Sequence, residues 1–125
     1  MTVPEPTAGP QGWRVLAFGR DPEISAAIQE ELRAEGIRAR AFALTDDPDG
    51  DARLTRELGE ASWDGVAIGG FINGQNPAIR PTPQTTLWFN RVLNIIHGQA
   101  PGAKIILVRE PPEALAAIKR VLGDP

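Results

Sequence analysis

Apolar positions along the chain alternate between short continuous runs and longer stretches with helical spacing. Residues 13–18, Trp-Arg-Val-Leu-Ala-Phe, form the first run and stop at Gly19. A continuously apolar centre of that kind predicts a strand covered on both faces. Asp21, Pro22 and Glu23 then have the order of an N-cap, a first-turn proline and a dipole-favouring acid. Ile24, Ala27, Ile28 and Leu32 continue as the stripe of a first helix that Gly36 stops. Residues 37–44 read differently: Arg38 and Arg40 alternate with Ala39 and Ala41, as on an edge strand with one wet face.

The acidic segment 45–51 leads into a second helix through Leu54 and Leu58. A calcium-loop register started at Asp47 puts Ala52 where the loop needs glycine and Leu58 where it needs glutamate, so a plain loop and acidic helix start is the reading. Trp63-Asp64-Gly65-Val66-Ala67-Ile68-Gly69-Gly70-Phe71 predicts a buried central strand ending in a double glycine. Residues 71–84 carry three prolines and no periodicity, which predicts a long connection of the kind that covers functional sites. A third helix is expected over about 85–97, ended by Gly98. Its apolar arc holds Trp88, Phe89, Val92, Leu93, Ile95 and Ile96, with Asn90, Asn94 and His97 on the solvent side. Residues 103–108 predict a fourth strand. Pro111, Pro112 and Glu113 open a last helix with Leu115, Ile118, Val121 and Leu122 inward.

Alternating strands and helices predict an α/β three-layer sandwich, with a four-stranded parallel sheet in the order 2-1-3-4 and helices on both faces. Right-handed crossovers put the first and last helices on one face and the middle two on the other. Residues 12–125 are expected to form this single domain, behind a flexible tail over 1–11 with three prolines and no apolar leader segment. Trp13 and Trp63 precede neighbouring strands and are expected to be structural plugs at the amino-terminal rim.

Composition narrows the chemistry. Thirteen basic and 16 acidic residues give a net charge of −3 without a Lys/Arg run, which argues against a nucleic-acid surface. No cysteine and one histidine exclude thiolate nucleophiles and multi-histidine zinc sites. Neither of the two serines sits in a nucleophile elbow. No run has membrane-spanning length, and a cytoplasmic protein is the expectation.

Ligands of open parallel sheets bind outside the carboxyl ends of the strands, where adjacent connections diverge. Strands one and three make that crevice here. Its expected lips are Gly19 and Arg20 on one side and Gly69, Gly70 and Asn73 on the other; Arg80 in the long connection and Arg109-Glu110 after strand four join the same rim. Three arginines on one edge of an acidic protein point to an anionic metabolite or nucleotide-like ligand, since guanidinium makes paired bonds to carboxylate or phosphate. Gly69 and Gly70 would permit close approach, and 71–84 would act as a lid. The turn Gly19-Arg20-Asp21-Pro22 lacks the Gly-x-Gly-x-x-Gly pattern, and Asp21 and Pro22 occupy or remove amide donors, so a standard dinucleotide site is not expected there. No cofactor is specified. Asp21, Glu110 and His97 are the available acid/base groups, and no pair has catalytic spacing. The apolar fourth strand and broad third helix suggest a homodimer; coverage by the chain's own helices would explain them equally.

Order and element lengths across 13–123 resemble flavodoxin-like and Rossmann-like single domains. The run 63–70, with Asn94 and Ala100-Pro101-Gly102-Ala103-Lys104, is similar to small bacterial α/β proteins of uncharacterised function. Neither resemblance brings an activity. Receivers of response regulators carry acids after strand one and an aspartate ending strand three, and here Gly19-Arg20 and Gly69-Gly70 stand there. A degenerate receiver-like regulatory or interaction module is therefore the alternative function. The Ser/Thr-rich phosphate loop of flavodoxins is also missing.

Overall fold

The computed structural model describes residues 12–124, so the tail expected over 1–11 lies outside the described residues. In chain order the elements are β1 (Arg14–Gly19), α1 (Pro22–Ala34), β2 (Arg38–Ala43), α2 (Pro48–Leu58) and β3 (Gly65–Ile68). There follow α3 (Gly70–Asn73), α4 (Pro83–Gln99), β4 (Lys104–Leu107), a 3-10 turn (Pro111–Glu113) and α5 (Ala114–Leu122). All strand pairs are parallel in the order β2-β1-β3-β4. The expected α/β sandwich and strand order are thus present. No helix among the described residues is long and apolar enough to cross a membrane.

Each helix start has its chemistry. One Asp21 carboxylate oxygen accepts from the amides of Glu23 and Ile24 at 2.8 and 3.1 Å. Asp47 likewise accepts from Gly50 at 2.7 Å, which is the role of the acidic segment that a calcium loop would have claimed. Thr82 and Thr85 form a reciprocal capping box, so α4 begins at Pro83, earlier than the periodicity predicts. The helix also runs through Gly98 to Gln99; an exposed interior glycine costs about 1 kcal/mol and does not by itself stop a helix.

The two faces of the sheet differ in side-chain size. Leu16 and Phe18, Phe42 and Leu44, and Val66 and Ile68 point to one face, where they pack with Leu54 and Leu58 of α2 and with Trp88, Val92 and Ile96 of α4. Alternate residues point to the other face: Val15 and Ala17, Ala39, Ala67, Ile106 and Val108. There they meet Leu32 of α1 and Ala114, Ala117 and Ile118 of α5. Register lines up Ala17 with Ala41 and Ala67, and Phe18 with Phe42 and Ile68. One layer is therefore large against large. The other is alanine under helices.

Trp63 is buried at the amino-terminal end, its indole N–H donating to the Glu57 carbonyl at 3.0 Å. Asp64 accepts from the Arg14 amide at 2.8 Å beside it. Trp13 packs against the α1/α5 core. Arg40 keeps the partly exposed position expected on the edge strand, and it bridges Glu57 and Glu60 at 2.7 and 2.6 Å, tethering β2 to α2. β4 is half covered, with Ile106 fully buried and Lys104 and Ile105 exposed.

Candidate functional site

The stripe expected to bury α1 is incompletely packed. Leu32 is 0% exposed, but Ile24 is 42% exposed and Ala27 is open. The last helix also departs from expectation, because the 3-10 turn precedes it and Leu115, Val121 and Leu122 are only half-buried. The first departure has a cause in the sheet. Side chains on the sheet below are too short to reach the helices, and a cavity of about 200 Å³ remains between α1, α5 and the sheet.

Ala17, Ala41 and Ala67 form its floor, and Ile28, Leu32, Val108 and Ile118 its inner walls. Its mouth opens at the carboxyl ends of β1 and β3, the neighbours whose connections diverge. Alternation along β1 turns Gly19 toward this side, and a Cβ built there would meet nothing within 4 Å. A larger residue would occupy the entrance. Gly69, just past β3 at the start of α3, stands opposite, and Phe71, Asn76 and Ile79 complete the rim.

Of the residues expected at the rim, Gly19, Arg20, Gly69 and Gly70 border the cavity. Asn73, Arg80, Arg109 and Glu110 do not line it. Asn73 is buried, and its amide nitrogen donates to the Ile68 and Val108 carbonyls at 2.8 and 3.1 Å while its oxygen accepts from the Gln75 amide at 2.8 Å. Its nitrogen joins the ends of β3 and β4, and its oxygen holds the turn that follows α3. Arg109 lies 3.5 Å from Glu113, one helical turn on, and not beside a charge-cancelling Glu110. Arg80 is exposed outside the cavity lining. The expected three-arginine cluster therefore contributes one member to the cavity.

That member has a defined setting. The Arg20 guanidinium carbon stands 3.7 Å from the Phe71 ring centroid, a cation–π contact. Phe71 in turn meets Trp88 edge-on, with centroids 6.4 Å apart. Arg20 makes no ion pair among the described residues. By contrast, Arg91 pairs with Asp46 and Asp51 at 2.6 and 2.8 Å, holding the Asp46 carboxyl below its ordinary value. The amide of Gly50 together with the Thr45 hydroxyl does the same for Asp47. These groups belong to the opposite side of the sheet. No group of three His, Cys, Asp or Glu among the described residues is placed to hold a metal.

The segment 71–84 is not one irregular loop. It starts inside the single turn α3, ends inside α4, and is pinned by Asn73 and by Asn76, whose oxygen accepts from the Ala78 amide at 2.8 Å. Asn76, a loop amide expected with Asn73 and Gln75 as a donor at this rim, does line the cavity, whereas sequence reasoning missed Ser25, Ile28, Ile79 and Ile118. Their signal was indirect. In Val-Leu-Ala-Phe-Gly and Gly-Val-Ala-Ile-Gly every second position is small, which marks one thin face. Ser25 lies in the wall and donates to the Phe42 carbonyl at 3.2 Å.

No family model matches the chain. A curated relative, the tRNA 5-methylaminomethyl-2-thiouridine biosynthesis bifunctional protein MnmC of Caulobacter vibrioides, is 34% identical over 105 aligned residues. The alignment covers 79% of this chain and 17% of the relative, so the chain spans about a sixth of the length of the protein it is similar to.

Proposed function

We propose that this chain is a small-ligand-binding α/β domain, working in the cytoplasm, that takes an anionic small molecule into the cavity between α1, α5 and the sheet. The observation that carries this reading is the placement of Arg20, a cation with no ion-pair partner among the described residues, at the mouth of a mainly apolar cavity at the switch point. Apolar walls with few polar groups at one end are the usual composition of small-molecule sites. Gly19 keeps the entrance open, Gly69 lets the chain pass close to the β1 backbone, and Phe71, Asn76 and Ile79 form the outer wall.

The name of the Caulobacter relative speaks of tRNA modification. A tRNA-contacting role needs free cations along a phosphate track. The net charge of −3 and the lack of any Lys/Arg run support a small ligand over a nucleic acid. The second reading, a non-catalytic interaction module acting as a homodimer, is favoured by the open β4 edge, where Ile105 is 37% exposed.

A thermal-shift screen of carboxylates, phosphates, nucleotides and flavins tests the first reading. A ligand at one hundred times its Kd stabilises by about 2.7 kcal/mol, which raises Tm by on the order of 10 °C in a domain of this size. The absence of any stabilising compound, with a dimer by light scattering, would transfer the case to the second reading.

A further inference from the structure

We infer that the ligand of this cavity is a monocarboxylic acid with a compact apolar body, aryl or short alkyl, and not a nucleotide or phosphomonoester. This rests on the ligand-cavity reading and narrows it.

Four side chains near it are polar: Arg20, Asp21, Ser25 and Asn76. Ser25 already donates to the Phe42 carbonyl, and one Asp21 oxygen already holds two α1 amides. The Asn76 oxygen is taken by the Ala78 amide, leaving its amide nitrogen without an acceptor among the described residues. Arg20 contacts Phe71 through its guanidinium carbon, a stacking contact that does not use up its N–H donors. What remains as donors is one bidentate cation and one neutral amide, both at the mouth, with the second Asp21 oxygen as the free acceptor beside them. That donor set matches the two oxygens of a single carboxylate.

A phosphomonoester fits less well. It carries a charge of about −1.5 to −2 at neutral pH and favours a cluster of donors. The start of α1 cannot supply them, because Asp21 occupies two amides and Pro22 has none. The Asp21 carboxylate at the same rim repels any anion, and a dianion about twice as strongly as a monocarboxylate. A nucleobase fits less well again: the deep walls are Ile28, Leu32, Ala67 and Ile118, which offer a ring edge no hydrogen-bond partner. An apolar group gains from the same walls. A dry cavity near 150 Å³ accepts benzene, so one of about 200 Å³ takes a body of roughly six to eight carbons.

The test is an amide-resolved NMR titration with four probes: 3-phenylpropionate, its neutral counterpart 3-phenylpropionamide, phenyl phosphate and AMP. Expected are shifts at Gly19, Ala67 and Gly69 with 3-phenylpropionate, and affinity at least about tenfold weaker for the amide and for both phosphates. Arg20→Gln should weaken 3-phenylpropionate about tenfold and leave the amide unchanged; Arg20 is exposed, so this variant keeps the fold. Equal binding of acid and amide, or indifference to Arg20→Gln, overturns the acid assignment while leaving a ligand cavity. Preference for AMP or phenyl phosphate overturns it as well. No shift at the cavity amides with any probe overturns both the assignment and the ligand-cavity reading.

Discussion

Gly70→Ala should destabilise the domain by about 3 kcal/mol or more, lowering Tm by on the order of 10 °C. A Cβ at this position would lie 2.0 Å from the carbonyl oxygen of Arg109 and 2.8 Å from its carbonyl carbon. Both obstacles are backbone, so no rotamer change relieves the contact. The first turn of α3 packs onto the chain leaving β4, and this contact holds the cavity's far lip in place. Gly98→Ala is the control. A Cβ there meets nothing within 4 Å, and alanine in an exposed helix interior should add about 0.5–1 kcal/mol. Denaturant unfolding of the two variants checks both signs. A Gly70→Ala variant as stable as wild type would mean that this close approach does not exist.

Asn73→Asp has the second large effect, and it carries a pH signature. The Asn73 amide nitrogen serves two buried carbonyls, those of Ile68 and Val108. A carboxylate in its place turns an acceptor toward both, leaves them unpaired and is itself poorly solvated. Each unsatisfied buried group costs about 1–3 kcal/mol, so a loss of ~3 kcal/mol at neutral pH is expected. The new carboxyl has a raised pKa in the folded state. Relative to wild type, the variant should therefore recover stability as pH falls through that value, when a protonated carboxyl regains one donor. Chemical unfolding between neutral and mildly acidic pH measures this. Asn73→Leu should show the loss without the recovery. Identical pH profiles for the two would contradict the assigned bonding.

These residues also show what was legible in the sequence. The strand order and the faces taken by each helix followed from alternation and crossover handedness, because those rules act on whole elements. The caps at Asp21 and Asp47 were legible or nearly so, since an N-cap is a local bond. Asn73 was not. A rim asparagine looks the same whether it faces a ligand or joins two strands, and only the arrival of Val108 beside Ile68 distinguishes the cases. Arg109 turned to Glu113 for a similar reason: the helical turn after Pro111 set their spacing. Gly70 proved to be a packing requirement, whereas Gly19 keeps an entrance open. Both were expected alike, as glycines at a ligand rim.

The cavity itself lay hidden in a familiar pattern. An apolar strand such as Val-Leu-Ala-Phe reads as buried on both faces, and it is. Burial does not report volume. Ala17, Ala41 and Ala67 come into register across three strands, and only that coincidence thins one layer of the sandwich. The exposed Ile24 on α1 is the outward mark of the same shortage.

The central claim is that this thin face holds a ligand-sized apolar cavity entered beside Gly19. Xenon is the most direct probe, because it enters dry apolar cavities without needing polar partners. In amide-resolved NMR under xenon pressure, wild-type shifts should concentrate at Ala17, Ala67, Val108 and Ile118. Leu16 and Ile68, which face the opposite layer, should move little. Gly19→Leu should suppress the shifts with Tm nearly unchanged. Xenon shifts spread over both faces, or absent from the α1/α5 face, would contradict the account.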